Sequence, residues 1–456
     1  LTDKIDEGLI EECEMHIVGH KIFVRMKDIP MYLSKKTKDS IRNRYSHSVE
    51  VGIGTEYVLS HISRQLGDDV DLNFFKIAKI IGLVHDIGHT AFSHDGEVIL
   101  DKMLRKASAS FSTSIRFNAN LNNFRRISKY GLFDLLPEDI RKYAFSSLIK
   151  RKKELEQYPE YLSMKDDLDY AIGLEEKYLA SKGIKIDNTT NKTILCQAMD
   201  LADENRYRVT DIIDALNIYS KQKLKEILVR SIHSEVRIKD IRKLVSLKSG
   251  PIESTKHSHS DKMKIKDLLI ILLNQESNAK TEFQNVMNSI SMAFNRNFFL
   301  DQNGNLVPLD KEIEKLRDDF HKVAATYLWG SKKIKNIKKP FNHYFTTVVD
   351  YFIHQDFKID IIDSSTYKNA LMALEKEVLN DEVRSREKLL LIRNFLGGLT
   401  NLKITELYKK IKLSEFECSL GYELDKREKF LTKNSIQEFE KKLDRYNRRL
   451  MEKVSA

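Results

Sequence analysis

The chain has 456 residues, of which 32% are charged and 41% hydrophobic, and its net charge is +10. No run approaches the ~18 apolar residues that a membrane span requires, so a soluble globular protein without a membrane partner is expected. The positive balance favours polyanionic partners, nucleotides or nucleic acid, without selecting one.

Only six prolines and seventeen glycines interrupt the chain. Apolar residues recur mainly at three- and four-residue spacing, which predicts an all-α fold with minor β-hairpins. The length leaves room for one large domain with additions or for two domains. Cys13, Cys196 and Cys418 lie far apart, with no CxxC pair. That excludes a disulfide framework and a zinc ribbon and suits a reducing compartment, so a cytoplasmic location is expected. No secretory signal is visible at the acidic start, and the chain opens on Leu1 rather than Met, which leaves open whether residues precede it.

In chain order, "HIVGHKIFVRM" alternates as a short strand pair around Gly19 would. Ser46 to about Leu66 predicts a helix through Val49, Ile53, Val58 and Ile62. Residues 73–85 predict a more buried helix, and residues 95–106 a third. Residues 117–155 predict further helices broken near "YGLFDLLPED", with Pro137 early in one of them. The run "IKRKKELEQ" mixes signs as an exposed helix face does. Residues 191–217 predict a long helix. Beyond about residue 220 the pattern stays helical, with a polar loop at "SLKSGPIESTKHSHSDK" and a hairpin turning on Asn303-Gly304. The basic run "GSKKIKNIKKPF" fits a solvated helix end better than a phosphate contact. The charged segment "REKFLTKNSIQEFEKKLDRYNRRLMEKVSA" predicts an amphipathic surface helix, with an oligomer contact as the sharper alternative.

The chemistry concentrates in "GLVHDIGHTAFSHDGE". A lone His85-Asp86 pair at the end of an apolar helix would usually be a hydrogen-bonded structural pair. Three features add to it. His47 opens the preceding helix. Asp203, Tyr207 and Asp211 stand at i, i+4 and i+8, stacking two carboxylates and a phenol on one helix face. His89, His94 and Glu97 follow His85 within twelve residues. Histidines and carboxylates gathered in this way suit a divalent metal with open coordination positions. Ser46 and Ser48 are expected to be helix-cap groups rather than nucleophiles. Arg206 and Arg208 are either solvated or phosphate contacts. His257 and His259 are expected to be solvated loop residues, and His16 and His20 could share a metal only if they lay on a helix.

The order His47, His85-Asp86, Asp203 resembles the HD phosphohydrolase superfamily. "HDIGHTAFSHDGE" resembles the HDxGHxPFxHxGE motif of its deoxynucleoside triphosphate triphosphohydrolase (dGTPase-like) family, with Ala91 in place of the proline. "RNRYSHSVEV", "ADENRYRVTDIID" and "RFNANLNNFRRI" resemble three further family motifs, so the likeness spans roughly residues 40–215, with a faint echo at "RNFLGGLTN". It implies an HD-domain catalytic core over 41–220, after an N-terminal segment 1–40. A helical region 221–456 would complete the site and carry oligomer contacts.

The resemblance implies that His47, His85, Asp86 and Asp203 ligate a divalent metal. Mn²⁺ or Mg²⁺ is expected, with Fe²⁺, Co²⁺ and Zn²⁺ left open by the histidines. His94 would be the general acid/base, with Glu97 orienting it. Arg44 and His89 would hold phosphate, Tyr207 and Asp211 would face the sugar, and Asn120 would touch the substrate. The implied reaction splits a dNTP into a deoxynucleoside and inorganic triphosphate. A homo-oligomer, often a hexamer in the family, is implied, and single-stranded nucleic acid is a further candidate partner. An HD phosphodiesterase or nuclease, or a catalytically silent nucleotide-binding regulator, are the alternatives. The chain departs from the family where a sugar-reading Lys-Thr-Gln segment is absent near "FVRMKDIPMYL", and where Asn394 and Asn401 replace aspartates.

Overall fold

The computed structural model describes residues 6–31, 42–66, 76–155, 157–158, 161–162, 164–181, 183, 191–245, 262–274, 279–354, 365–377, 379–412 and 414. His257, His259, Cys418 and the charged segment 427–456 lie outside the described residues. The architecture is all-α. The helices are α1 (Glu7–Gly19), α2 (Lys21–Val24), α3 (Arg44–Leu66), α4 (Ala78–Val84), α5 (Ser93–Ala107), α6 (Ala119–Lys129), α7 (Glu138–Ser146), α8 (Lys152–Leu155), α9 (Met164–Ser181) and α10 (Ile194–Ile218). After them come α11 (Lys221–Ser231), α12 (Ile238–Val245), α13 (Ile265–Asn274), α14 (Ala279–Arg296), α15 (Lys311–Val323), α16 (Lys332–His354), α17 (Ser365–Lys376) and α18 (Asp381–Leu396). Among the described residues the only sheet pairs β1 (Phe298–Leu300) with β2 (Leu306–Pro308), antiparallel, with Phe299 opposite Val307. Its turn is the one expected: Gly304 takes a φ of 72°, which glycine adopts without penalty, and Asp301 Oδ1 accepts from the Asn303 and Asn305 amides at 2.9 and 2.8 Å. No helix among the described residues is long and apolar enough to cross a membrane.

The chain forms two compact units. One comprises residues 1–89 and 118–336, the other residues 90–117 and 337–456. The first unit has two apolar clusters, and α10 supplies both: Ile194, Leu195, Met199 and Ala202 to one, Val209, Ile212, Ile213 and Ala215 to the other. Thr193 caps this helix, its Oγ1 accepting from the Cys196 amide at 3.0 Å. Burial on opposite ends of one 25-residue rod holds it rigidly, which suits a helix that carries polar groups between the two clusters.

Two expectations need correction. Residues around Gly19 form no strand pair. Asp6 caps α1, and Ile10, Cys13 and Ile17 recur at helical spacing into the core, so a short run of alternation is outweighed by one buried helical face. His20 then caps α2, with Nδ1 accepting from the Ile22 amide at 3.2 Å. The start of α3 is capped by Asn43, whose Oδ1 accepts from the Ser46 amide at 3.0 Å, not by Ser46 or Ser48. The buried face of α3 runs through Val51, Thr55, Val58 and Ile62, leaving Ile53 exposed.

One buried carboxylate pins α10. Glu175 of α9 is 2% exposed; both its oxygens accept from the Ile194 amide at 2.9 Å, and the Tyr143 hydroxyl donates to it. Burial pushes its carboxyl up to about 8 against the pull of Tyr143 and the Ile194 and Leu195 amides. A carboxyl raised in the folded state contributes stability below its unfolded pKa and loses it as pH rises through the folded one. Glu175→Gln mimics the protonated form. The stability of the wild type relative to Glu175→Gln should therefore fall between about pH 5 and pH 8, read by urea denaturation at both pH values. Parallel profiles would show that the carboxyl does not titrate there.

In the second unit, Phe92 packs against Phe341 and Phe345 of α16, at ring-centroid distances of 5.6 and 5.8 Å. The basic run from Gly330 opens α16, and its Lys338 pairs with Asp95 at 2.6 Å.

Candidate active site

Small residues bring three helices of the first unit together. A Cβ on Gly82 of α4 would lie 2.5 Å from the Gly52 Cα of α3, so the two backbones touch. A Cβ on Gly54 would lie 3.1 Å from Ala202 Cβ, which seats α3 against α10. His47 precedes Gly52 by five residues, His85 follows Gly82 by three, and Asp203 follows Ala202. The two contacts therefore fix where all three side chains meet.

The loop after α4 is held by side chains that the sequence pattern did not single out. Arg25 donates to the carbonyls of Ile87 and His89 at 3.1 and 2.7 Å. Asn123 Oδ1 accepts from the Gly88 amide at 2.5 Å, its Nδ2 donates to the His85 carbonyl, and Asn122 Nδ2 donates to the Gly88 carbonyl at 2.7 Å. A Cβ on Gly88 would stand 2.1 Å from the Ala119 carbonyl oxygen, which explains the glycine. Within "FNANLNNF", Asn122 and Asn123, rather than Asn120, make the hydrogen bonds to this loop. The motif resemblance marked the segment but not which asparagine does the holding.

The side chains converge closely. His47 Nε2 is 3.0 Å from Asp203 Oδ1 and 3.8 Å from Asp86 Oδ2. His85 Nε2 is 3.4 Å from Asp86 Oδ1 and 3.6 Å from Asp203 Oδ1. His89 Nε2 reaches Asp86 Oδ1 at 3.2 Å, and Arg44 pairs with Asp86 Oδ2. Donor atoms of His47, His85 and Asp203 all lie within 4.8 Å of one another. Burial would raise Asp86, but Arg44, His85 and His89 outweigh it and hold the carboxyl well below its usual range. Burial is likewise outweighed at Asp203, by Lys150 and His85. Burial lowers His47, whereas Asp86 and Asp203 outweigh burial at His85 and raise it.

The tautomer of His85 tests whether this donor set fits a cation. Its Nδ1 is 2.7 Å from the Gly82 carbonyl, which can only accept, so the proton of a neutral ring sits on Nδ1. That leaves the Nε2 lone pair facing two carboxylate oxygens, a repulsive arrangement that a shared cation or an added proton relieves. The imidazole nitrogens of His47 and His85 and the Asp203 carboxylate, with Asp86 Oδ1 3.4 Å from His85 Nε2, are donors that fit a divalent metal.

Sequence inspection missed Lys150. It belongs to the mixed-sign run read as an exposed face, yet its side chain is 19% exposed and its Nζ lies 3.1 Å from Asp200 Oδ1 and 3.2 Å from Asp203 Oδ2. A charged run shows no periodicity that marks which member turns inward, so no sequence signal pointed to it. Arg206 bridges Glu50 and Asn288, at 2.6 and 3.0 Å, and Arg208 donates to Glu204 at 3.1 Å; both are engaged within the protein rather than merely solvated. Tyr207 is partly buried one turn beyond Asp203. Asp211, a further turn on, is 2% exposed, and its Oδ2 is buried with no hydrogen-bond partner among the described residues. Burial and then Asp214 raise its carboxyl well above the usual range.

His94 and Glu97 belong to the second unit, at the start of α5, with His94 Nδ1 3.3 Å from Glu97 Oε2 and the imidazole exposed. The turn before them is strained: Phe92 and Ser93 take φ of 60° and 56°, which side-chain-bearing residues rarely adopt. It is held by Asn401, whose Oδ1 accepts from the Phe92 amide at 2.8 Å, and by Thr90 Oγ1 donating to the Leu396 carbonyl at 3.0 Å. Asn401, where the family has an aspartate, thus still supplies a side-chain oxygen. A Cβ on Gly96 would sit 1.9 Å from the Ala91 carbonyl oxygen, so Ala91 packs its backbone directly against the glycine of "HDGE".

Curated relatives match part of the chain. Deoxyguanosinetriphosphate triphosphohydrolase-like protein 2 of Vibrio cholerae is 31% identical over 186 residues, 39% of this chain and 39% of that protein. The like-named protein of Shewanella pealeana is 26% identical over 234 residues, 44% of this chain and 51% of that protein. Over 39–44% of its length the chain is similar to these deoxyguanosinetriphosphate triphosphohydrolase-like proteins. A third, from Wolinella succinogenes, is 36% identical over 113 residues, 25% of this chain and 27% of that protein. The chain thus spans about half or less of the length of the dGTPase-like relatives it matches. No family model matches the chain.

The glycine contact yields a direct test of this candidate site. Gly82→Ala should separate α3 from α4 and destabilise the fold by about 1–3 kcal/mol, the usual cost of overpacking. Divalent-metal affinity should fall with it, because His47 and His85 move apart. Differential scanning calorimetry and Mn²⁺ titration check both. An unchanged melting temperature would show that the helices are not in backbone contact.

Proposed function

We propose that the chain is a metal-dependent hydrolase of nucleoside triphosphates, acting on a dNTP to release a deoxynucleoside and inorganic triphosphate. The observation that carries this reading is the convergence of donor atoms of His47, His85 and Asp203 within 4.8 Å of one another, with Asp86 Oδ1 3.4 Å from His85 Nε2. His47, His85, Asp86 and Asp203 would hold the cation, Mn²⁺ or Mg²⁺ in the first instance. A bound divalent cation supplies charge stabilisation at the phosphorus under attack and a water of lowered pKa.

The remaining roles fall to this chain's own side chains. Arg44 and His89 both reach Asp86 and present cationic or donor groups beside it, where phosphate oxygens would add further acceptors. His94, oriented by Glu97, would deliver the proton to the 5′-oxygen as it leaves, a task that suits an exposed imidazole backed by a carboxylate. Tyr207 and Asp211 would meet the sugar. The buried Asp211 oxygen without a partner is an acceptor that a sugar hydroxyl would satisfy. The relatives' printed names support the triphosphohydrolase class, and the positive charge of the chain suits an anionic substrate.

The test is a panel of the four dNTPs with Mn²⁺-loaded protein, resolved by chromatography. Deoxynucleoside and triphosphate in equal amounts are expected. Pyrophosphate with a monophosphate would replace this reading with a different HD phosphohydrolase, and cleaved oligonucleotides without nucleoside release with an HD phosphodiesterase or nuclease. Saturable binding without product would replace it with a regulator. His85→Ala and Asp203→Asn should each lower turnover at least about a thousandfold, as removal of a metal ligand does. A variant with full activity would sink the metal assignment.

A further inference from the structure

We infer that Lys150 is a positioning residue for Asp203, holding one carboxylate oxygen out of the cation site so that the other alone is offered to it. The inference rests on the metal-site reading above and concerns a residue outside the motifs that carry the family resemblance.

The two oxygens of Asp203 have different surroundings. Oδ1 faces His47 Nε2 at 3.0 Å and His85 Nε2 at 3.6 Å, inside the donor cluster. Oδ2 accepts from Lys150 Nζ at 3.2 Å. The ammonium is not free to swing off. Its second contact is Asp200 Oδ1 at 3.1 Å, and Asp200 is anchored in turn through Oδ2 to Lys192 Nζ at 2.7 Å. Asp200 and Asp203 stand three residues apart on α10, so their carboxylates project from the same side of the helix. Lys150 bridges them from the segment that follows α7. The result is an alternating row, Lys192, Asp200, Lys150, Asp203, that ends at the histidines.

A row of this kind has a defined consequence for a cation. A carboxylate can bind a divalent ion through one oxygen or through both. An ammonium hydrogen-bonded to the second oxygen competes for its lone pairs and also repels the ion, so Asp203 is limited to Oδ1. One further coordination position then stays open for solvent or a substrate oxygen. The same ammonium lowers the affinity for the cation, which is the cost of keeping the position open.

The experiment measures the cation's surroundings in the full chain, with the Mn²⁺ ion alone as probe. Mn²⁺ affinity is read by electron paramagnetic resonance and the number of exchangeable waters on the bound ion by water-proton relaxation. Lys150→Met should bind Mn²⁺ at least about tenfold more tightly, with one exchangeable water fewer, because Oδ2 becomes available. Lys150→Arg should restore the wild-type values, since a guanidinium can hold the same oxygen. Lys150→Leu, which also has no donor, serves as a second neutral variant should Lys150→Met not fold, with the same expected direction. Wild-type affinity and water number in either folded neutral variant would overturn the inference. Mn²⁺ bound by the wild type without triphosphate release from dNTPs would instead count against the hydrolase reading and leave this one standing. A wild type that binds no Mn²⁺ would remove both.

Discussion

The backbone contact between Gly52 and Gly82 is the constraint on which the candidate site depends. Two helices approach closely enough for their backbones to touch only where neither carries a side chain. That approach sets His47 and His85 a few ångströms apart on different segments, with ring centroids 5.5 Å from each other. A second close approach, Gly54 against Ala202, brings the carboxylate of Asp203 to the same point. These small residues have no chemistry of their own. They determine the distances at which the chemistry-bearing residues meet.

Around that point the first unit balances charge in a confined volume. Asp86 is surrounded by Arg44, His85 and His89, and Asp203 by Lys150, His47 and His85. These carboxylates persist as anions only because their cationic and hydrogen-bonding partners outweigh desolvation. The partners are spaced so that each carboxylate keeps an oxygen directed at the histidines. The second unit solves a different problem. There the strained Phe92-Ser93 turn, braced by Asn401 and Thr90, starts α5 so that His94 and Glu97 lie at its beginning. Strain at that turn is tolerated because hydrogen bonds to residues more than 300 positions away in the chain over-determine it.

Much of the site is legible in the sequence because motifs with a physical mechanism are local. "HDIGHTAFSHDGE" gathers histidines and acids within a dozen or so positions, and the i, i+4, i+8 spacing of Asp203, Tyr207 and Asp211 puts them on one helix face. The long helices and the Asn303-Gly304 hairpin are legible for the same reason. Misreadings arise where local signals are short or degenerate. Alternation over a few residues around Gly19 imitates a strand until the buried Ile10, Cys13 and Ile17 decide for a helix. Three polar residues compete to cap α3, and the backbone geometry selects Asn43. Lys150 is invisible because a lysine among lysines carries no mark of the carboxylates it will meet.

By itself, the sequence determined the helical character of the chain, the histidine- and carboxylate-bearing motifs and the residue types available for chemistry. These depend on periodicity and on neighbours close in the chain. The tertiary structure alone decided which oxygen of Asp203 faces the histidines, which asparagines hold the loop after His85 and which lysine turns inward. Those outcomes depend on contacts between segments 35 to more than 150 residues apart, and the close approach of glycine backbones that creates them has no signature in a single sequence.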